Sequence, residues 1–229
     1  MKRKRTFYTE LAYLFGLVTL ALGTALMERA DFGMSMVVAP AYLIHRKISQ
    51  TLPFYSFGMS EYVLQLALLL VLAAVMRRFK KGYLFSFGTA VLYGFTLDAA
   101  MALVGLLPFS GTVWRVICYV LGLLVCAIGV ALLFHTYIAP EAYELFVKEL
   151  SAERHWRIDR VKTVYDCCSC LVGVALSFAF FGFGHFEGVK LGTILCALVN
   201  GWMIGRIGIA LERAFDFRDA LPLREFFEK

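Results

Sequence analysis

The sequence predicts an all-α polytopic membrane protein with six transmembrane helices and one half-helix, its N and C termini both cytoplasmic. The 229 residues are 60% hydrophobic and only 17% charged, with a mean hydropathy of +0.72, whereas soluble domains are about half apolar and a quarter charged. The apolar residues form runs of about 17–25 residues, the length that crosses a bilayer. Lys and Arg lie in the loops between these runs, so the net charge of +6 indicates membrane topology rather than nucleic-acid binding.

The predicted spans account for most of the chain as one membrane domain. The first follows a basic N-terminus, and its apolar run from Leu11 to Met27 is longer than a signal-peptide core and lacks a clear cleavage site. These features favour a retained anchor helix. The six spans cover residues 7–27, 58–76, 83–107, 114–135, 162–183 and 190–211.

Charge in the loops predicts the orientation. Lys and Arg concentrate in the N-terminus, the 76–83 turn, the 136–161 loop and the 212–229 tail, whereas the 108–112 loop has none. Six crossings place the four basic segments on one side, which the positive-inside rule makes the cytoplasm. The 136–161 loop has helical spacing after Pro140, and aromatic residues such as Tyr143 and Trp156 are typical of the headgroup layer. The tail is predicted to be an interfacial helix or loosely ordered.

Residues 33–44 are apolar but too short to span. A helix of this length covers about 18 Å, half a membrane. A full crossing here would invert every later span and place the basic 76–83 turn outside. We expect a re-entrant half-helix, which must pack within protein or line a wet cavity. An amphipathic helix on the outer surface is the alternative.

Two glycine turns predict a duplication. Gly33–Ser35 and Gly188–Thr193 each follow a helix that runs from inside to outside, and each opens a helix. Parallel repeats are common in transporters and would explain this arrangement. The residues expected to act as turns or hinges are Gly33, Ser35, Gly192 and Thr193.

Asp98 is the leading candidate for a functional residue. It is the single charge between Tyr83 and Leu107, near the middle of that span. An ionisable group at the midplane costs at least ~2.5 kcal/mol to insert, so binding of a cation or proton is the default hypothesis. Asn200 lies at matching depth in the last span, and the two are predicted to line one polar site. The alternative is structural, with a protonated or paired Asp98 and Asn200 both joining helices.

A second charged set lies nearer the cytoplasm. Asp166 is about one turn into the fifth span, and Arg206 is about one turn from the cytoplasmic end of the sixth. Lys162 stands four residues before Asp166 on the same helix face. We expect Asp166 to pair with Arg206 or with Lys162 near the inner boundary. Such a pair is either an inner gate or a static clamp whose charged heads reach the interface.

Three acids lie at the outer ends of the first two spans, beside the Gly33 turn. Glu28, Asp31 and Glu61 are predicted to form a polar mouth that attracts a cation. Solvated charges at helix ends are the alternative, with Asp31 capping the half-helix.

Metal, cofactor and catalytic motifs are not expected. Cys167 and Cys170 share a helix face, but a tetrahedral site needs four ligands, and neither a second Cys pair nor a suitable His accompanies them. Small residues instead recur at the spacing that lets helices pack closely, which predicts a homo-oligomer within the lipid bilayer. They are Gly201 and Gly205, and the series Ser169, Gly173 and Ser177.

At these turns the chain resembles the YczE/YitT-type bacterial membrane proteins. The basic 76–81 turn and the polar 140–162 loop fit the same layout, although Gly33 is followed by Met34 and Ser35 where the resemblance implies Ser and then Pro. It implies a bacterial inner-membrane protein with about five or six helices and no assigned biochemical activity. The matching pieces are Ala30-Asp-Phe-Gly33-Met-Ser35, Leu191-Gly192-Thr193 and Asn200-Gly201.

The pattern favours a small-solute transporter or exporter coupled to an ion gradient, with Asp98 alternating between its protonated and ionised forms as the site faces either side. Two alternatives come from other classes. A membrane scaffold that assists a partner complex would use the close-packing faces and the 141–150 helix. A membrane-embedded enzyme would need carboxylates or His clustered at one interface.

Overall fold

The computed structural model describes residues 4–33, 35–107, 111–184 and 187–224. Lys2 and Arg3 of the basic N-terminus, Met34, residues 108–110 and the end of the tail lie outside the described residues. The described chain forms eight α-helices and two short strands: β1 (Arg5–Tyr8), α1 (Thr9–Ala30), α2 (Ala39–Ile48), α3 (Phe57–Met76), α4 (Lys81–Gly105), α5 (Thr112–Phe134), α6 (Ala142–Arg154), α7 (Ile158–Phe181), α8 (Leu191–Ala214) and β2 (Phe215–Arg218).

Six of these described helices are long and apolar enough to cross a membrane: α1, α3, α4, α5, α7 and α8. They begin and end within four residues of the predicted spans. The predicted all-α polytopic class is therefore confirmed. Hydropathy locates these helices well because the bilayer requires every backbone polar group in a span to be paired within the helix itself.

The helices pack as two inverted halves. The first half contains α1 to α4 and the second contains α5 to α8. Every major contact has a counterpart: α1 with α4 and α5 with α8, α3 with α4 and α7 with α8, α2 with α7 and α6 with α3. Helices α1 and α5 run in opposite directions and pack against each other at the centre. The duplication is therefore inverted, and the parallel repeat predicted from the two glycine turns is wrong.

A glycine seam joins the two halves. A Cβ added at Gly23 would lie 2.7 Å from the Gly122 carbonyl oxygen, and one added at Gly129 would lie 2.8 Å from the Gly16 carbonyl oxygen. The same spacing in the chain separates Gly16 from Gly122 and Gly23 from Gly129. The two contacts are therefore equivalent under a two-fold axis that passes between α1 and α5. Real side chains cannot approach backbone this closely, so the seam requires glycine.

Each half contains one half-helix. In the first half this is α2, whose N-terminal residues Ala39, Pro40 and Ala41 are buried against α3 and α7. The half-helix predicted over 33–44 thus forms over Ala39–Ile48, and its first turn packs within protein, as the re-entrant prediction requires. In the second half it is α6, which enters from the opposite side and packs against α3, α4 and α7.

The 136–161 segment differs most from its prediction as a cytoplasmic loop. Its residues 139–145 are all buried, and Tyr143, expected in the headgroup layer, is 3% exposed. Trp156 is 59% exposed and does lie at the surface. Helical spacing predicts that a helix forms, but it does not say that the chain turns back into the bundle before forming it.

The two ends of the chain meet. Strand β2 pairs in parallel with β1, and Phe7 packs between Phe215 and Phe217. The carboxylate of Glu10 accepts hydrogen bonds from the backbone of Ala220 and Leu221. Within the described part of the tail, Phe215–Arg218 form a strand, where an interfacial helix or loosely ordered chain was predicted. Both ends lie on one side of the bundle, as an even number of spans requires.

Candidate functional site

A group of polar side chains is buried where α3, α6, α7 and α8 meet. All are at most 4% exposed, and they come from both halves of the fold. We call this set the central cluster: Glu61, Gln65, Glu141, Tyr143, Glu144, Lys162, Asp166 and Asn200.

Gln65 connects the two halves within the central cluster. Its side-chain oxygen accepts a hydrogen bond from the Ala142 backbone N–H at 3.0 Å, which fixes the orientation of the amide. The amide nitrogen therefore faces two carboxyl groups, Glu61 at 3.2 Å and Glu141 at 3.1 Å. Tyr143 donates to the same Glu61 oxygen at 2.9 Å. Glu61 and Gln65 can act together because residues four apart share a helix face.

Lys162 organises the other side of the cluster. Its ammonium lies 3.0 Å from Asp166, as one of the two predicted pairings required, and 3.4 Å from Glu144. Asn200 donates to the second Asp166 oxygen at 3.5 Å. The alternative partner, Arg206, instead lies over the Trp202 ring at 5.5 Å. The pair is 0–1% exposed and is therefore buried within the protein; its depth near the inner boundary stays a prediction.

The central cluster contains an excess of acid. Its four carboxyl groups face one ammonium, that of Lys162. One oxygen each of Glu61, Glu141 and Glu144 is buried and has no hydrogen-bond partner in the described structure. Burial, together with the nearby Glu144 and Glu61, raises the pKa of the Glu141 carboxyl well above its usual range. Buried carboxylates that lack compensation favour binding a proton or another cation.

Two cavities meet at Lys162. A narrow one of about 10 Å³, about the room for one water molecule, is lined by Glu141, Glu144, Lys162 and Asn200 among others. A larger one of about 620 Å³ lies at the inner ends of α5, α7 and α8, and Lys162 and Arg206 line it. We call the larger one the inner vestibule. The Lys162 side chain stands between the inner vestibule and the central cluster.

Glu61 does not belong to the predicted outer mouth. It is fully buried and hydrogen-bonded to Tyr143 of α6. The prediction placed it by its position near the outer end of a span. The prediction for Glu61 is wrong because α6 enters deeply enough from the opposite side to meet the first turns of α3.

Asp98 and Asn200 do not form the predicted common site. The Asp98 carboxylate accepts hydrogen bonds from the Ser56 hydroxyl at 3.2 Å and from the Gly58 backbone at 3.3 Å. It therefore caps the N-terminus of α3, where free N–H groups attract a carboxylate. Asn200 belongs to the central cluster instead. The structural alternative describes Asp98 better than the functional one does.

The two predicted turns meet each other on the outer side. The Gly192 N–H donates to the Phe32 carbonyl at 2.9 Å. Gly33 has a φ of 109°, and a Cβ there would lie 2.4 Å from the Thr193 hydroxyl. Ser35 is buried beside this contact and lines the narrow central cavity. These turns close the outer side of the bundle tightly.

The outer charges lie around these turns. Asp31 pairs with Lys190 at 2.5 Å and with Arg115 at 3.0 Å, with its side chain 65% exposed. Together with Glu28 it lines a small outer cavity of about 30 Å³. Two of the three predicted mouth residues are therefore together, with Asp31 exposed and Glu28 half-buried.

The small-residue faces are used within the chain. A Cβ at Gly201 would lie 2.4 Å from the Thr163 hydroxyl of α7, and one at Gly173 would lie 2.9 Å from Val189. The Ser177 hydroxyl donates a hydrogen bond to the Glu187 carbonyl and accepts one from the Glu187 N–H. These contacts join α7 to α8 and its preceding loop, so at these positions the predicted oligomer face is occupied by the protein's own helices. In the described part of the chain, no three His, Cys, Asp or Glu side chains are placed to hold a metal ion.

Sequence reasoning missed four members of the central cluster: Gln65, Glu141, Tyr143 and Glu144. An available signal was an internal repeat. The pattern Gly-Leu-x-x-x-Ala-x-Gly-x-Ala-Leu occurs at 16–26 and again at 122–132. Each copy is followed by an Ala-Pro step, at Pro40 and at Pro140. Because 33–44 was already predicted to be a half-helix, the repeat would have predicted a second one after Pro140 and placed its acids inside.

Comparison with known proteins defines the family. A family model described as a family of unknown function (DUF6198) matches residues 7–208. The chain belongs to this family. No curated protein and no solved structure matches the chain.

Proposed function

We propose that this protein is an ion-gradient-coupled carrier of a small solute in the bacterial inner membrane, with its binding site at the central cluster. One observation carries the proposal: four carboxyl groups and one ammonium are buried between the two inverted halves, where α3, α6, α7 and α8 meet. Charged groups in a membrane interior are costly, and they are typical of ion and substrate pathways. The resemblance to the YczE/YitT-type proteins agrees with this location and adds no substrate.

The architecture supports the same proposal. Transporters are often built from inverted repeats, with interrupted helices that meet near the bilayer centre and a site between the repeats. Here α2 and α6 are the interrupted elements, and the α1–α5 seam joins the repeats. Relative movement of the two halves about this seam would expose the central cluster to one side and then the other.

The two sides of the site are closed differently. The outer side is closed by backbone contact between Phe32 and Gly192 and by the Asp31 ion pairs. The inner side has the vestibule, which ends at Lys162. Movement of the Lys162 side chain would connect the central cluster to the cytoplasmic side. The described conformation is accordingly nearer to inward-facing than to outward-facing.

One observation favours the embedded-enzyme alternative: it requires clustered carboxylates, and the central cluster contains four. This cluster lies in the interior beside a cavity of about 10 Å³, whereas an enzyme that acts on lipid needs its acids at an interface. The scaffold alternative loses its main support, since residues 142–147 are mostly buried and leave little of the α6 N-terminal half for a partner. Transport therefore ranks first.

Transport in liposomes tests the proposal. Purified protein is reconstituted, and uptake of labelled amines, amino acids, organic anions and metal ions is measured under an imposed proton or sodium gradient. Gradient-driven uptake of at least one class is expected. Glu144→Gln weakens a charged contact to Lys162, worth about 1.5–3 kcal/mol, and should reduce uptake about 10- to 100-fold.

Asp98→Asn is the matched control, since it makes the same chemical change outside the central cluster. It should retain uptake. If Asp98→Asn abolished uptake and Glu144→Gln did not, the site would be misplaced. If no compound moved under any gradient, the scaffold alternative would replace transport.

A further inference from the structure

We propose that the coupling ion is the proton and that Glu61 and Glu141 together form its binding site. This inference deepens the proposed function and rests on it, because an ion can be called a coupling ion only if the protein transports a solute. The binding of a proton by this carboxyl pair can be tested without any transport. The pair has one member from each half of the fold, Glu61 on α3 and Glu141 immediately before α6.

Hydrogen-bond donors reach only one side of each carboxyl group. Gln65 donates to one oxygen of Glu61 and one of Glu141, and Tyr143 donates to that same Glu61 oxygen. The other oxygen of each acid is buried and has no hydrogen-bond partner among the described residues. A proton on such an oxygen removes the negative charge, which is the form that burial without a donor disfavours.

Charge compensation is also missing at this pair. Within the described part of the chain, six ionisable groups interact electrostatically with Glu61 or Glu141, and all but one of them are acids. They are Tyr13, Tyr93, Cys126, Tyr143, Glu144 and Lys162.

The one cation among them is already engaged. The Lys162 ammonium contacts Glu144 and Asp166. Tyrosine and cysteine are acids that are neutral near pH 7, so they cannot compensate the carboxylates. Two ionised carboxylates joined through one Gln65 amide, with no cation of their own, would repel each other in a medium that screens charge poorly.

The donor environment favours a proton over a metal cation. The Ala142 N–H fixes the Gln65 amide so that its NH₂ group faces both acids, and Tyr143 presents its hydroxyl proton. These groups direct positive hydrogen atoms at the carboxyl oxygens. A sodium ion requires several oxygen lone pairs directed at it, and at this pair the nearest neutral groups supply hydrogens instead.

The position of the pair links proton binding to movement. While the halves are closed, a proton on one of the two acids removes their mutual repulsion, and Gln65 joins them by hydrogen bonds. When the cluster opens to water, the O–H bond of the protonated carboxyl breaks, and the proton passes to a water molecule on the open side. The two resulting negative charges repel, and this repulsion opposes closure until a proton or a cationic solute binds. Protonation would therefore control when the empty carrier closes.

Infrared spectroscopy of the purified protein tests the site directly. At neutral pH the wild type should show the C=O band of a protonated carboxyl group, with a shift in D₂O. Glu61→Gln and Glu141→Gln should each remove or strongly reduce this band. Asp98→Asn is the control and should leave it. Absence of the band in wild type, or its persistence in both Gln variants, contradicts the proposal.

Thermal melting in detergent gives a second readout. Because the Glu141 pKa is raised in the folded protein, its stabilising contribution is complete below the ordinary carboxyl value of 4.5 and is lost as the pH rises through the higher folded value. Wild type should therefore melt at a lower temperature as the pH rises, and Glu141→Gln should flatten this dependence. Gln has the size and neutrality of protonated Glu, so a variant that failed to fold would count against the proposal.

The competing ion is tested in the same assay. Added sodium should leave the melting temperature of wild type unchanged at constant ionic strength, with choline as the replacement cation. A sodium-specific rise that Glu141→Gln abolished would identify sodium as the coupling ion. In that case transport could still hold while the proton site failed, and the two proposals would be separated.

Discussion

The two half-helices share a position in the fold but not their chemistry. An Ala-Pro step begins α2 and lies just before α6, and each half-helix packs against helices of both halves. The residues that lead into α2 are apolar, among them Met36, Val37 and Val38, and they belong to the hydrophobic core. Those at the start of α6 include Glu141 and Glu144 and belong to the central cluster. The duplicated scaffold thus supplies two entries to the bundle centre, and among the described residues only the entry at α6 carries buried acids.

The same contrast holds for the charges around them. On the α6 side, Lys162 and its partners are at most 2% exposed. On the outer side, the Asp31 side chain is 65% exposed and that of Lys190 is 37% exposed. Burial decides what a charge pair contributes, because water screens an exposed pair and a buried ion cannot lose its partner cheaply. The inner half-helix should therefore dominate the energetics of the charged groups.

The largest effect is expected at Lys162. Lys162→Met leaves Glu144 and Asp166 buried without a counter-charge and should lower the free energy of unfolding by about 3–5 kcal/mol. Thermal and denaturant melting in detergent measure the loss. Neutralising both acids as well, in the variant Lys162→Met/Glu144→Gln/Asp166→Asn, should recover most of it.

Lys190→Met is the matched outer control. It makes the same substitution at an exposed pair, where about 1 kcal/mol or less is expected. Equal losses at Lys162 and Lys190 would show that the two sides do not differ in burial, and the contrast between the half-helices would fail.

The parts of the molecule that sequence could predict are those governed by local composition. The spans were predicted to within four residues because a bilayer-length apolar run has few other structures open to it. The Lys162–Asp166 pair was among the predicted pairings because four residues along a helix bring two side chains to one face. Neither prediction requires knowledge of how the chain folds back on itself.

The central cluster was missed because it depends on such folding. Glu141 and Glu144 lie in a segment of ordinary polarity that could equally well be solvated, and their burial follows from the path of the chain between α5 and α6. Asp98 attracted attention because it stands alone in an apolar run, yet the N-terminus of α3 satisfies it. An isolated charge in a span was thus a weaker guide to the site than the duplicated Gly-Leu pattern, which identifies corresponding segments of the two halves.

The glycine seam sharpens the comparison because there the two halves should behave alike. In Gly23→Ala the new methyl group would lie 2.6 Å from the Cys126 backbone nitrogen, and in Gly129→Ala 2.7 Å from the Leu20 nitrogen. Backbone cannot move aside as a side chain can, so each variant should lose about 1–3 kcal/mol of stability by overpacking. Melting curves in detergent should give the same loss for both within error.

Gly88→Ala provides the control for helix propensity. Nothing lies within 4 Å of a Cβ at Gly88 in α4, so alanine there should be neutral or stabilise by about 0.5–1 kcal/mol. A large difference between Gly23→Ala and Gly129→Ala would mean that the seam is not symmetric and that the halves differ in more than their half-helices.

The smallest effect is expected at the surface ion pairs that tie each half-helix to a loop of the opposite half. Arg46 of α2 pairs with Glu187 at 2.8 Å, and Glu153 of α6 pairs with Arg78 at 2.6 Å. The charges are reversed between the two sides, but side-chain exposure is similar, at 50% and 38% for the first pair and 49% and 48% for the second. Here the half-helices should be equivalent, because exposed pairs contribute only about 0.2–1 kcal/mol.

Charge reversal tests that equivalence. Arg46→Glu should lower the free energy of unfolding by no more than about 1 kcal/mol, and Arg46→Glu/Glu187→Arg should restore it. The coupling energy between the two substitutions should fall as salt is added. Arg78→Glu with Glu153→Arg should give the same cycle on the inner side. A coupling on the inner side several times larger than on the outer side would mean that the asymmetry of the half-helices extends to the surface. Equal couplings would confine the asymmetry to the buried acids, where the proposed proton site lies.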